Sequence, residues 1–221
     1  MPRVSPGELQ DAVAHLAEIQ RRMVAAETFR GYRAATIAAT AVLAFVGAAV
    51  QATWCPVPLE QPFMYLGLWV SIAVASLATS TAQVLWQGWA SASSHRLQQT
   101  RIALEQFLPC TVLGGAVTWA ISETDLSAMW LLPGLWSGLF GLGVLASSRQ
   151  LPRPVAWVGL YYLAIGIAAL AAGPGDTACS PWWMALSFGV GQTAVATILY
   201  TYLERTATDD GAAGETDDAE V

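Results

Sequence analysis

Two cysteines carry the most reactive side chains of this sequence. Cys55 and Cys179 each lie close to a proline and a tryptophan, in a segment between two apolar runs. In an oxidising compartment such thiols join as a disulfide, which contributes about 2 to 4 kcal/mol to stability. We predict a disulfide between Cys55 and Cys179; the alternative is two unpaired thiols in unrelated loops. The third cysteine, Cys110, has no predicted partner and is expected to pack as a small apolar residue.

Four further residues are candidates for ligand binding. Gln192 lies inside the last apolar run, where a side-chain amide needs hydrogen-bond partners. The simpler expectation is a hydrogen bond to another helix, worth about 0.6 to 2 kcal/mol. The alternative is that Gln192, Tyr162 and Trp136 line an amphipathic pocket for a lipid or small apolar molecule. Pro133 removes one backbone hydrogen bond and would leave the carbonyl of Met129 free to face that pocket.

Several chemistries lack the residues that they need. The chain contains no lysine and two histidines, His15 and His95, both outside the apolar runs. A lysine Schiff base is therefore excluded, and haem ligation or a histidine-rich zinc site within the membrane is not expected. No P-loop, serine-hydrolase motif or carboxylate pair at membrane depth is present. We therefore predict no catalytic residue, no metal and no cofactor, and the sequence favours a protein that is not an enzyme.

The composition places these residues in a membrane protein. Of 221 residues 55% are hydrophobic and 12% charged, and the mean hydropathy is +0.47. We predict an all-α polytopic bundle whose helices cross a hydrocarbon core of about 30 Å. The six apolar runs are 34–53, 63–85, 109–122, 127–147, 155–173 and 181–203. The net charge of -6 comes from an acidic tail, so no nucleic-acid partner is expected.

The distribution of arginine predicts the orientation. All ten basic residues are arginines, and a six-span chain with both termini in the cytoplasm places all of them on the inner side. We therefore predict a multi-pass protein of a bacterial inner (plasma) membrane. Residues 1–33 are predicted to hold a cytoplasmic amphipathic helix over 7–30, which either lies on lipid or docks a protein partner. An inner-loop helix is predicted at 94–107 and a disordered acidic tail at 204–221.

The apolar runs also suggest how the helices pack. The even-numbered runs begin with similar patterns of aromatic residues, methionine and glycine, which favours three hairpins related by an axis along the membrane normal. The alternative is that these residues are simply common at membrane interfaces. Gly134, Gly138 and Gly141 form a small face that predicts close approach of a neighbouring helix. The segment 134–143 is also a candidate surface for a homo-oligomer.

One stretch resembles a known group of proteins. Between Met129 and Gly166 the sequence reads LPGLW, then LGV, then LPR across the loop between the fourth and fifth runs. In these motifs the chain resembles uncharacterised bacterial six-span integral membrane proteins. The resemblance covers under a fifth of the chain. It implies a bacterial membrane protein of this topology and brings no activity, ligand or catalytic residue with it.

Three functions are consistent with these patterns. The first is a non-enzymatic membrane protein that binds or senses a lipid or small apolar molecule, or that regulates a membrane partner. The second is a facilitator of a small neutral or lipophilic solute, which needs a polar path between the two faces. The third is a self-associating membrane scaffold that uses the glycine face of the fourth run.

Overall fold

The structure, a computed structural model, describes residues 34–90, 94–148, 153–175 and 177–202, with the side chains of all of these except 84–107. The predicted amphipathic helix 7–30 and the acidic tail 204–221 lie outside the described residues. Every regular element within these ranges is helical. The predicted all-α architecture is therefore confirmed for the described part of the chain.

Six helices follow one another along the described residues. Four segments are long and apolar enough to cross a membrane, namely 34–54, 62–83, 126–147 and 181–202, and a shorter apolar helix lies between the last two. The chain is therefore a multi-pass membrane protein. The helices are α1 (Ala34–Trp54), α2 (Pro62–Ala90), α3 (Ser94–Thr124), α4 (Leu132–Ser147, preceded by a 3-10 turn at Leu126–Leu131), α5 (Val155–Ala171) and α6 (Pro181–Tyr202).

The third helix differs from the sequence expectation. The structure has one helix from Ser94 to Thr124 with Pro109 inside it, where a separate inner-loop helix at 94–107 and a short span from 109 were expected. A proline within a helix removes one backbone hydrogen bond and bends the axis, but it need not end the helix when strong helix formers flank it. Leucines and alanines on both sides of Pro109 favour this continuation.

Specific residues set the ends of the later helices. The backbone N–H of Ser127 donates to the Asp125 carboxylate at 2.9 Å and so caps the 3-10 turn. Hydrogen bonds from Ser127 hold the pKa of Asp125 below its ordinary value. Ser180 caps α6 ahead of a proline at the first helical position. Beyond the end of α5, Gly173 has a φ of 72°, a left-handed conformation that glycine adopts without strain.

Glycines bring α4 and α5 into backbone contact at the centre of the bundle. A Cβ atom added to Gly166 would lie 2.8 Å from the carbonyl oxygen of Gly134 and 2.9 Å from the backbone nitrogen of Gly138. Nearer the end of α4 and the start of α5, a Cβ atom on Gly141 would lie 2.9 Å from the carbonyl oxygen of Gly159. At Gly134 and Gly141 the small face of α4 is therefore covered by α5 of the same chain, whereas a Cβ atom on Gly138 would have nothing within 4 Å.

Candidate functional site

A buried serine pair joins α4, α5 and α6. The Ser187 hydroxyl donates to the Ser137 oxygen at 2.7 Å, and the Ser137 hydroxyl donates to the carbonyl oxygen of Tyr162 at 2.8 Å. Both serines are 1% exposed. Because every polar group at this depth needs a partner inside the protein, the chain of hydrogen bonds fixes the relative positions of the three helices.

The part of α6 that carries Ser187 is a π-helix. It spans Ala185–Val190, and the Tyr161 hydroxyl donates to the carbonyl oxygen of Leu186 within it at 2.7 Å. π-Helical turns are rare and frequently lie at functional sites. Just beyond it, a Cβ atom on Gly191 would lie 2.5 Å from the Tyr162 hydroxyl oxygen. The absence of a side chain at Gly191 therefore makes room for that hydroxyl.

The Tyr162 side chain is fully buried and its hydroxyl has no hydrogen-bond partner within the described residues. Its ring packs against Phe140 at 4.9 Å and Phe188 at 5.9 Å between centroids. A buried hydroxyl without a partner costs free energy. Tyr162 therefore keeps a polar group without a partner inside the described part of the bundle.

An open apolar groove of about 480 Å³ lies between α1 and α6. The Thr193 hydroxyl donates to the carbonyl oxygen of Gly189 and the Thr197 hydroxyl to that of Thr193, both at 2.8 Å. These threonines satisfy their own hydroxyls on the helix backbone, which leaves an apolar wall. The volume lies within the range of about 300 to 1,000 Å³ that is typical of ligand sites. The groove is lined by Phe45, Val190, Thr193, Ala194, Thr197 and Ile198.

At one end of the bundle a buried glutamine links three segments of the chain. The Gln51 amide nitrogen donates to the carbonyl oxygen of Cys179 at 2.6 Å, and its amide oxygen accepts from Trp69 Nε1 at 2.8 Å. Gln51 is 0% exposed and Trp69 3% exposed. The amide therefore has partners on both sides, and it holds the last turn of α1 against α2 and the loop before α6.

Cys55 and Cys179 lie beside this glutamine. Both are 1% exposed and belong to one cluster of buried residues with Tyr65. The Tyr65 hydroxyl is fully buried and has no hydrogen-bond partner among the residues described. Burial raises the pKa of the Cys55 thiol, and burial followed by the charge of Cys55 raises the pKa of the Cys179 thiol to about 11. Both cysteines are free in the structure, as is Cys110.

The residues predicted to line one pocket contact different neighbours. The Trp136 ring stacks on Tyr65 with 6.3 Å between centroids, and its Nε1 donates to Thr118 Oγ1 at 2.8 Å. Trp136 therefore faces α2 and α3, whereas Tyr162 faces α6. Gln192 is partly buried on α6, one residue after the glycine that accommodates Tyr162.

Pro133 is fully buried in the first turn of α4. The carbonyl that the proline was expected to leave free, that of Met129, accepts from the backbone N–H of Leu132. The Cys179 thiol lies 3.9 Å from the same carbonyl oxygen. The carbonyl oxygen of Met129 in the turn before Pro133 therefore contacts the cysteine cluster through Cys179.

Sequence reasoning missed the two arrangements that organise this site. The buried amide that links three segments belongs to Gln51, whereas Gln192 was the glutamine singled out from the sequence. Gln51 could have been found as the single amide near the end of an otherwise apolar and small-residue run. The groove needs Phe45 of α1 next to α6, and helix order in space is not encoded by hydropathy. Among the residues that the structure describes, no group of three or more histidine, cysteine or acidic side chains is placed to hold a metal.

Comparison with known proteins gives a partial similarity. The chain is 30% identical over 114 residues to NADH-ubiquinone oxidoreductase chain 1 of Tamias sibiricus. It is 26% identical over 112 residues to the protein of the same name from Tolypeutes matacus and 25% over 112 residues to that from Balaenoptera physalus. Each match covers 45% of this chain and 35% of the relative, so the chain spans about a third of the length of these relatives.

No family model matches the chain, and no solved structure matches it. The similarity is therefore to part of a multi-span membrane protein and does not assign a family. The resemblance to bacterial six-span proteins stays a prediction.

Proposed function

We propose that this chain is a non-enzymatic multi-pass membrane protein that binds or senses a lipid or small apolar molecule in the groove between α1 and α6. The observation that carries the proposal is the groove itself: about 480 Å³ in volume, lined by apolar groups, and formed within a membrane-spanning part of the bundle. An apolar lining suits an apolar tail, because the tail replaces mobile bilayer chains along a fixed wall.

The groove holds an apolar molecule by apolar contacts alone. Its lining residues include the exposed Phe45 and Thr193, whereas the Tyr162 hydroxyl is fully buried against Gly191, on the inward-facing side of α6. The residues that line the groove include none of the four candidates from the sequence, namely Gln192, Tyr162, Trp136 and Pro133.

The test uses a photoactivatable fatty acid with the full-length protein in lipid nanodiscs. After illumination, mass spectrometry maps the labelled peptides. We expect labelling to concentrate on 190–198 and around Phe45. Ala194→Trp fills the groove and should abolish this labelling, whereas Ala75→Trp, the same substitution on the exposed face of α2, should preserve it. Labelling spread evenly over the exposed apolar helix faces would overturn the proposal.

A second candidate ligand is a quinone. The partial similarity to NADH-ubiquinone oxidoreductase chain 1 favours this candidate, because that protein's name places it in an assembly that reduces ubiquinone. An isoprenoid tail would occupy the groove through contacts with its apolar wall. In the same assay, ubiquinone should displace the photoactivatable fatty acid at lower concentration than phospholipid does. Equal displacement by both would favour an ordinary lipid.

The groove favours binding over solute passage. Its walls are apolar and its lining residues include exposed side chains such as Phe45 and Thr193, so it opens toward the lipid. A facilitator would need a polar path that joins the two faces of the membrane. A scaffold through Gly134 would compete with α5 for the same surface of α4.

The location and orientation belong to the same proposal. We propose a bacterial inner membrane with both termini in the cytoplasm, because this arrangement keeps all ten arginines on the inner side. The loop after α1 and the loop before α6 then face the outer compartment, where a disulfide between Cys55 and Cys179 can form. Reporter fusions at residues 58 and 175 should give outer-side activity, and a fusion at residue 92 should not. The helix predicted at 7–30 is proposed to lie on lipid or to contact a protein partner.

A further inference from the structure

The cysteine cluster lies at the ends of the two helices that form the groove. α1 ends at Trp54, directly before Cys55, and α6 begins at Pro181, two residues after Cys179. The two helices run in opposite directions from this point, because one arrives at the cluster and the other leaves it. Any covalent link between the cysteines therefore joins α1 to α6.

α1 and α6 also contact each other deeper in the bundle, and this second contact is equally far along the chain from the cysteine of each helix. Phe45 precedes Cys55 by ten residues, and Gly189 follows Cys179 by ten residues. A Cβ atom on Gly189 would lie 2.6 Å from the Phe45 ring, so the ring rests directly on the α6 backbone. Ten residues of helix rise about 15 Å. The groove wall and the cysteine cluster are thus two contacts on one pair of helices.

Both cysteines are hydrogen-bonded to Gln51, one through its backbone carbonyl and the other through its side-chain amide. The backbone N–H of Cys55 donates to the carbonyl oxygen of Gln51 at 2.9 Å, and the side chain of Gln51 donates to the carbonyl oxygen of Cys179 at 2.6 Å. The Tyr65 hydroxyl is fully buried and has no partner in the described residues. Cys55, Cys179 and Tyr65 lie together in one cluster of buried residues.

We infer that Cys55 and Cys179 are a reversible redox pair whose disulfide locks α1 to α6 and holds the groove in its ligand-binding shape. This inference rests on the function proposed for the groove. Both thiols are 1% exposed, so the reaction requires that the cluster open transiently and that one thiol lose its proton. With a low-molecular-weight disulfide as oxidant, that thiolate attacks it to form a mixed disulfide and releases the first small thiol. The second cysteine thiolate then attacks the mixed disulfide, closes the Cys55–Cys179 bond and releases the second small thiol. The two protons that the cysteines lose end on the two released thiols.

The lock acts through pre-organisation of the groove. In the reduced chain, a hydrogen bond from Gln51 and the packing of Phe45 on Gly189 hold the helices together. The disulfide adds a covalent link at the end where α1 meets the loop before α6. A site that is held in its binding shape loses less freedom when a ligand binds, so the oxidised form should bind more tightly.

The first measurement counts free thiols. The full-length protein is treated with oxidised glutathione or with a phosphine reductant, unfolded in detergent and labelled with a maleimide of known mass. We expect three labels on the reduced chain and one, on Cys110, on the oxidised chain. Cys110→Ser should give two and none. Three labels on the oxidised wild-type chain would overturn the inference.

The second measurement tests the lock, with the photoactivatable fatty acid as probe. Groove labelling of the oxidised chain should exceed that of the reduced chain by about fivefold, the lower end of usual coupling between two sites. Cys55→Ser should remove the redox effect and Cys110→Ser should keep it. Equal groove labelling in both redox states would overturn the lock and leave the proposed function standing. Labelling in neither state would refute the proposed function, and the inference with it.

Discussion

The contact between α4 and α5 yields a prediction with a magnitude. In Gly166→Ala the new Cβ atom would lie 2.8 Å from the carbonyl oxygen of Gly134 and 3.2 Å from Gly138 Cα. Ordinary contacts begin near 3.4 Å, and both neighbours are backbone atoms that cannot rotate away. The helices must therefore separate by roughly 0.6 Å, and such overpacking costs about 1 to 3 kcal/mol.

A matched substitution isolates this cost. Gly115 also lies within a helix, and a Cβ atom there would have nothing within 4 Å. Alanine has a higher helix propensity than glycine, so Gly115→Ala should be neutral or stabilising by up to about 1 kcal/mol. Because the propensity gain is common to both variants, the difference between them reports the clash.

Equilibrium unfolding in mixed micelles with increasing sodium dodecyl sulfate measures this difference, and the fluorescence of the ten tryptophans provides the signal. We expect Gly166→Ala to be less stable than Gly115→Ala by about 1 to 3 kcal/mol. Equal stability of the two variants would refute the backbone contact between α4 and α5.

Three further predictions concern the buried polar groups. Gln51→Leu removes the partners of Trp69 Nε1 and of the Cys179 carbonyl, so it should lower the free energy of unfolding by about 2 kcal/mol or more; an unchanged value would show that the amide is not shared. Tyr162→Phe removes a hydroxyl that has no partner in the described residues, so the delipidated protein should keep or gain stability, by up to about 1 kcal/mol; a loss of that size would reveal a hidden partner. In a variant with Cys179 as its only cysteine, burial still raises the pKa of the thiol above its ordinary value, so its rate of alkylation by a small reagent should rise about tenfold per pH unit through pH 9. Levelling of that rate near pH 9 would show an ordinary, exposed thiol.

Hydropathy predicts most of the helices because each run must satisfy its own backbone in lipid. The predicted runs 34–53 and 127–147 differ by a residue or so from the segments 34–54 and 126–147 in the structure. The boundary at Pro109 was the hardest to predict. A proline signals the end of a helix or only a bend within it, and the flanking residues that decide between these outcomes look alike in both cases.

The sequence predicts that another helix packs closely on α4, but it does not predict which helix. The spacing of Gly134, Gly138 and Gly141 predicts a helix in contact with that face. The helix that covers it is α5, through Gly159 and Gly166. Glycines on the partner were individually visible in the sequence, but the pairing of two helices depends on three-dimensional order.

The candidate site was the least predictable part. Tyr162 was singled out for its position within an apolar run, and the structure places it against Gly191 of α6. Gln192 was chosen by the same reasoning, yet the amide with two buried partners is Gln51. Both glutamines lie in apolar runs, and only the neighbouring helices decide which of them faces inward. The π-helix at Ala185–Val190 carries no sequence signal that would distinguish it from an α-helix.

The most direct test of the groove is native mass spectrometry of protein extracted gently from its membrane. We predict one retained adduct of defined mass on the wild-type chain and on Ala75→Trp, and its loss from Ala194→Trp, whose side chain fills the groove. A bare wild-type chain, or the same ladder of bulk lipids on all three proteins, would contradict a binding function for this groove.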